Sequence, residues 1–234
     1  MFYRILYVCA RYLLMSISNF YEYGPDLAEV EQLVIMLHGV GSNGQDLISL
    51  APMLSQKLPK TMFLSPDAPF ACDMVPPGYP NSYQWFSLQD RDPHMMLAEV
   101  KNVFPLVEEY IEAQMERYGV PPEKTALLGF SQGTMTSLYV APRLQKQIAG
   151  VLGYSGALLW DSKVNADDLR KPPIHLIHGE ADDVVPVEAW TQAKEILGEN
   201  GFRVDGHTSA GLTHSIDQKG IDSGQAFLKT ILVD

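Results

Sequence analysis

A serine hydroxyl attacks a carbonyl at neutral pH only when a base stands within hydrogen-bond reach and a third group orients that base. Residues 129–133 read Gly-Phe-Ser-Gln-Gly, a G-x-S-x-G pentapeptide with Ser131 at its centre. An apolar run, Thr125-Ala126-Leu127-Leu128, precedes it, and a helix-compatible run from Thr134 to Tyr139 follows. A strand that turns sharply into a helix holds such a serine in a strained backbone conformation, its Oγ at the C-terminal edge of a sheet. Gly129 and Gly133 suit that turn, because a Cβ at either position would clash where strand and helix come close. The five letters alone also arise by chance in loops, so the residues downstream carry much of the weight.

The orienting acid is expected in His178-Gly179-Glu180-Ala181-Asp182-Asp183-Val184-Val185-Pro186, directly after an apolar run that ends at Ile177. A carboxylate there can accept Nδ1–H from a catalytic histidine and fix its tautomer. Asp182 and Asp183 both qualify, and either could instead be a solvated turn residue or a helix cap. Of the 6 histidines, His214 is the preferred base. It sits in Gly211-Leu212-Thr213-His214-Ser215, a glycine-flanked loop directly before the last helical pattern. His207 is its rival, since both follow Ser131 in the chain. His38 and His178 occupy His-Gly turns at strand ends, where a turn or supporting role fits better. His94 reads as part of a polar loop before a helix. His175 and His178 fall on opposite faces of one strand, which argues against a metal pair.

An oxyanion needs preorganised donors. One is expected to be the backbone N–H of Gln132, the residue after the nucleophile, and the other to lie in Gly39-Val40-Gly41, after the first central strand. Backbone donors survive side-chain substitution, so Gln132→Ala is expected to leave activity largely intact. A phosphate-binding reading of the same glycines is weak, because no G-x-G-x-x-G or Walker pattern follows.

The elements that must position these residues alternate in type. Ile17 to Tyr23 reads as a weak edge strand. Leu33 to Leu37 is a continuous apolar run, as in a strand buried on both faces. Asp46 to Leu58 reads as a helix with Leu47, Leu50, Leu54 and Leu58 on one face, and Thr61 to Ser65 as a strand. Pro66 to Pro80 is a Pro- and Gly-rich loop that leads to Tyr83-Gln84-Trp85-Phe86. Met96 to Tyr118 is an amphipathic helix in which Pro105 implies a kink or a later start. Pro142 should end or kink the helix after Ser131. Strands follow at Gly150–Tyr154, Pro173–Ile177 and Phe202–Val204, with helices over Val187–Gly198 and Ser215–Leu232. The pattern predicts an α/β fold, an open and mostly parallel sheet with helices on both faces. Its chemistry should lie beyond the strands' C-terminal ends.

Composition narrows the partners. The chain has 234 residues, 46% hydrophobic and 19% charged, and a net charge of −11. That size fits one domain. So acidic a chain is a poor partner for nucleic acid, and it lacks the basic cluster that would hold it on anionic lipid. Cys9 and Cys72 lack metal-ligand spacing, so no zinc site is indicated. Free thiols in a reducing compartment such as the cytoplasm fit best, and a single Cys9–Cys72 bridge stays open. Residues 1–14 are apolar but interrupted by Arg4 and Arg11, too short to span a membrane and poor as an export signal. An extension ahead of a start at Met15, an interfacial or packing helix, and an atypical signal all remain readings of that stretch. The domain proper is taken as residues 15–234.

These motifs together resemble the phospholipase/carboxylesterase group of α/β-hydrolases, which includes the acyl-protein thioesterases. The resemblance rests on Leu37-His38-Gly39-Val40-Gly41, the Ser131 pentapeptide, the segment from His178 to Pro186, and the segment from Gly211 to Ser215. Tyr83-Gln84-Trp85-Phe86 is similar to a family segment near the mouth of the site. It implies a single-domain α/β-hydrolase with Ser131 as nucleophile, His214 as base and Asp182 as acid, four residues after the histidine of the His-Gly pair. It also implies Val40 and Gln132 as oxyanion donors, no metal or cofactor, a small-molecule ester or acyl substrate, and a homodimer. Met74, Val75, Trp85 and Phe86 are candidate walls of an apolar acyl pocket, and each fits a packed loop anchor equally. The expected activity is that of a serine carboxylesterase. Long-chain thioesterase or lysophospholipase activity is the alternative within the class. A peptidase on the same fold is disfavoured, because such enzymes carry a large added domain and these 234 residues show none. A non-catalytic ligand-binding homologue would usually lack one triad member.

Overall fold

The structure is a computed structural model that describes residues 16–234. The proposed extension over residues 1–14 lies outside the described residues. The strands are β1 (Phe20–Tyr23), β2 (Gln32–Leu37), β3 (Thr61–Pro66), β4 (Phe70–Ala71), β5 (Tyr83–Gln84), β6 (Thr125–Phe130), β7 (Gly150–Tyr154), β8 (Ile174–Gly179) and β9 (Val204–Ser209). The helices are α1 (Gly44–Leu47), α2 (Ala51–Leu54), α3 (Pro93–Tyr118), α4 (Gln132–Val140), α5 (Glu188–Glu199) and α6 (Gln218–Leu232). Seven strands form one sheet in the order β1-β3-β2-β6-β7-β8-β9, and β4 pairs with β5 in a separate ribbon. Only β1 runs antiparallel to its neighbour in the large sheet; β2, β3 and β6 to β9 pair in parallel.

The continuous apolar runs follow from burial on both faces. Along β2, Leu33, Ile35 and Leu37 join one core with Val100, Val103 and Val107 of α3 and Ala193 and Leu197 of α5. Val34 and Met36 point the other way and pack with Leu54, Leu58, Ile221, Leu228 and Leu232. Successive strand side chains alternate between faces, so a strand in the middle of three layers needs apolar residues at every position.

Several expected boundaries move. The helix expected over Asp46–Leu58 is broken into α1 and α2 separated and followed by 3₁₀ turns, with Pro52 at the start of α2. Of its expected buried face, Leu47, Leu54 and Leu58 are enclosed and Leu50 is partly buried against the same core. Helix α3 begins at Pro93, with Asp92 capping the N–H of His94 and Met95, so His94 lies in the first turn and not in a loop. Pro105 does not delay it. The residue sits on the exposed side, where the carbonyl it leaves without a donor can meet water. Pro142 does end α4, which passes into a 3₁₀ turn at Ala141–Arg143. The last strand starts where Phe202–Val204 was expected to finish and runs on to Ser209, placing His207 inside a strand. As the sheet's outer strand it is only partly buried, and its Val-Asp-Gly-His-Thr-Ser sequence carries no apolar run to reveal it. Helix α6 starts at Gln218, not Ser215, because Asp217 caps it by accepting the Gly220 N–H at 2.7 Å.

Candidate active site

Ser131 follows β6 immediately and precedes α4, with φ 53° and ψ −116°. A positive φ is costly for a residue with a Cβ and persists only where the surroundings enforce it. Here they do. A Cβ on Gly133 would lie 1.7 Å from the Leu37 carbonyl oxygen, and one on Gly129 would lie 2.4 Å from the Thr134 nitrogen. The Ser131 N–H donates to the Tyr154 carbonyl at 2.9 Å, and Thr134 Oγ1 donates to the same carbonyl at 2.8 Å. Strand β7 thereby holds the turn from the side.

His214 lies in the loop between β9 and α6. Its Nε2 is 2.9 Å from Ser131 Oγ and its Nδ1 is 2.7 Å from Asp182 Oδ2. An ionised carboxylate only accepts, so Nδ1 carries its proton toward Asp182 and Nε2 is left to accept from the serine hydroxyl. The Phe130 ring packs on the imidazole with centroids 5.0 Å apart. The loops bearing acid and histidine are laced together: the Ala181 N–H donates to the Leu212 carbonyl and the Glu180 N–H to that of Ser209.

The structure separates the paired candidates. The Asp182 side chain is fully buried, whereas Asp183 is exposed. Burial alone would raise the Asp182 carboxyl, but the Val185 N–H, His214 and the Val184 N–H outweigh it and hold the group below its ordinary value. His207 lies in β9 with its ring 6.4 Å from that of His175, and it does not bond Ser131. His175 bonds Ser223 Oγ and His178 bonds the Val185 carbonyl, so the two point to different partners. Among the described residues no group of three or more His, Cys, Asp or Glu side chains could hold a metal ion.

The loop after β2 borders the serine: a Cβ on Gly39 would stand 3.3 Å from Ser131 Cβ. Gln132 is the first residue of α4, so its N–H lacks an intrahelical acceptor. Neither this N–H nor that of Val40 is hydrogen-bonded among the described residues.

Around these donors lies a network absent from the sequence reading. The Gly41 N–H donates to the Tyr83 carbonyl, the Tyr83 N–H to that of Ser42, and Ser82 Oγ to that of Gly41. The Gln132 side chain, fully buried, accepts the Trp85 N–H at 2.9 Å and donates to the Phe86 carbonyl at 2.7 Å. Gln132→Ala would therefore strand two buried backbone groups. The substitution would keep the backbone N–H of residue 132 but remove both side-chain bonds, so the structure does not support the expectation that it is harmless. Nothing in a loop without periodicity signals these pairings.

Trp85 and Phe86 are 0% and 1% exposed and belong to the core. Trp85 Nε1–H donates to the His38 carbonyl at 2.8 Å. Of their two readings, both take that of packed anchors. A buried indole has no surface to offer a substrate, which corrects their expected place among the pocket walls. Met74 is 49% exposed and Val75 half-buried, so these two keep accessible apolar surface. No helix among the described residues is long and apolar enough to cross a membrane.

A family model described as phospholipase/carboxylesterase matches residues 25–232. The chain belongs to that family. It is 29% identical over 224 residues to acyl-protein thioesterase 1 of Gibberella zeae, covering 88% of this chain and 92% of the relative. It is 27% identical over 210 residues to the esterase YpfH of Escherichia coli, covering 88% and 85%. Among solved structures, that of esterase PE8 superposes with a TM-score of 0.83 at 35% identity, over 93% of this chain and 99% of the other. The family member described here is thus an α/β-hydrolase in fold and a hydrolase of the carboxylesterase type in activity.

Proposed function

We propose that Ser131, His214 and Asp182 form the catalytic triad of a serine carboxylesterase, with the N–H groups of Val40 and Gln132 as the oxyanion hole. The observation that carries this reading is His214, bonded through one ring nitrogen to Ser131 and through the other to a buried carboxylate. Ser131 Oγ attacks the carbonyl carbon while His214 Nε2 takes its proton. The carbonyl π electrons move to oxygen, and the oxyanion is met by the two backbone donors. On collapse His214 returns the proton to the leaving alcohol or thiol. Water then adds to the acyl-enzyme by the same route and releases the acid. Asp182 stays ionised throughout and holds the imidazolium that forms in each half.

Substrates are carboxylic esters or thioesters with an acyl chain that reaches Met74 and Val75, two of the accessible apolar residues of the 66–80 segment. A cytoplasmic setting suits the buried free thiol of Cys72. The deciding experiment is hydrolysis of an acyl-length series, acetyl to palmitoyl, as matched oxygen esters and thioesters, with Ser131→Ala as control. Ser131→Ala should fold as wild type and lose at least about 10⁴-fold in kcat. Near-wild-type turnover in that variant sinks the triad. An optimum at short oxygen esters would mark a general carboxylesterase, and one at long thioesters a deacylase of lipidated substrates.

A further inference from the structure

A trans peptide is a rigid plane whose C=O and N–H point opposite ways. Holding one end therefore aims the other. The peptide between Gly39 and Val40 is such a lever, because its N–H is the Val40 donor proposed above. Its carbonyl, on Gly39, lies 2.7 Å from His38 Nδ1 and also accepts the Ser42 N–H at 3.2 Å. The imidazole is fully buried. Its other nitrogen, Nε2, lies 3.0 Å from the Ala68 nitrogen. A backbone N–H can only donate, so Nε2 must accept there and Nδ1 must carry the proton. The backbone of a second loop thus selects the tautomer that donates to Gly39. Trp85 closes the arrangement. Its indole packs at 5.5 Å from the imidazole, and its N–H holds the preceding carbonyl, that of His38.

We propose that His38 is a positioning residue of the oxyanion hole: its Nδ1–H grips the Gly39 carbonyl and so aims the Val40 N–H at the developing oxyanion. The inference rests on the triad reading, in which Val40 is a donor. A hydrogen bond to the carbonyl also polarises the amide, making its N–H a stronger donor as charge develops on the substrate oxygen. Burial pulls the imidazole below its ordinary pKa, outweighing the Gly39 carbonyl and the carboxylates of Asp67 and Asp46, so the neutral ring persists at neutral pH.

Two substitutions separate the ring nitrogens. In His38→Asn the amide N–H falls near the Nδ1 position and keeps the grip on Gly39, while the partner of Ala68 is lost. In His38→Gln the side-chain end falls near Nε2, keeping Ala68 and releasing Gly39. The readouts are kcat and KM for p-nitrophenyl butyrate, inhibition by an alkyl trifluoromethyl ketone, which forms an oxyanion on Ser131, and Tm. Losing an oxyanion donor outright costs about 10²–10³ in kcat, and Ser42 still holds the carbonyl, so H38Q should lose about 10–100-fold. Its KM should stay within about threefold of wild type, and ketone inhibition should weaken in step with kcat. H38N should keep kcat within about fivefold of wild type, whatever its Tm. A folded H38Q with wild-type kcat overturns the proposal. So does an H38N as impaired as H38Q, since kcat would then follow packing and not the donor. Should H38Q fail to fold, H38N decides alone, kept kcat supporting the role and a loss beyond about 10-fold overturning it. Turnover retained in S131A would instead sink the triad reading, which is a separate result.

Discussion

Two His-Gly pairs end two buried parallel strands, His38-Gly39 after β2 and His178-Gly179 at the end of β8, and the fold uses them differently. Both imidazoles are buried and both bond local backbone carbonyls. His38 grips the very next carbonyl, and its glycine leaves a peptide lying against Ser131. His178 reaches the Val185 carbonyl at 2.8 Å and stands 3.4 Å from Asp182 Oδ2, bracing the loop that bears the acid. The glycines differ as well. A Cβ on Gly39 would meet the Phe130 ring and Ser131 Cβ at 3.3 Å. One on Gly179 would stand 2.2 Å from the Leu212 carbonyl oxygen, in the backbone of the loop that carries His214. In the proposed reading the first pair presents a donor, and the second makes room for two loops to meet. One dipeptide serves two ends because what packs against it differs.

That contrast can be broken at several points. The acid side should fail hardest. Asp182→Asn keeps the shape, but its amide oxygen is needed by the Val184 and Val185 N–H groups, so its NH₂ faces His214 Nδ1 and the tautomer that leaves Nε2 free is lost. A fall in kcat of about 10⁴ is expected, with KM little changed. Activity within tenfold of wild type would place the orienting acid elsewhere.

Next come the glycines. Gly179→Ala must move backbone, so Tm should drop by several degrees and kcat fall together with it, the His214 loop being displaced. Gly39→Ala needs only a few tenths of an ångström from Phe130 and Ser131. Its Tm should stay near wild type while kcat falls by about tenfold or less. Thermal melts and steady-state kinetics on the two variants check this, and equal losses of Tm would erase the distinction drawn between the pairs.

The smallest effect is on pH dependence. Burial keeps His38, His175 and His207 below the ordinary histidine value of 6.5. Below that value the unfolded chain takes up protons that the folded chain refuses, so stability falls as pH drops from about 7 toward 5. His38→Asn removes one of these groups. Its plot of Tm against pH should be flatter than that of wild type, though not flat, since His175 and His207 remain. An unchanged slope would mean that His38 is protonated in the folded state.

The strands β2, β3, β6, β7 and β8 were legible because burial on both faces writes an unbroken apolar run. Ser131 and His214, which the structure brings within 2.9 Å, could be singled out because each sits in a glycine-marked turn after a strand. Strand β9 was not, since an outer strand half in water needs no apolar run, and so the expected strand stopped at Val204, short of His207. Asp182 and Asp183 are adjacent in sequence and chemically identical. Only burial, two backbone hydrogen bonds and the approach of His214 distinguish them. Taken by itself, the chain's pattern determined the order of layers and the chemistry at the strand ends, since local periodicity and turn residues are short-range properties. Which nitrogen of His38 holds its proton, and how Trp85 ties the end of β2 to the Gln132 side chain, were decided by tertiary structure. Those bonds join segments some 30 to 47 residues apart, and no local pattern encodes a partner at that distance.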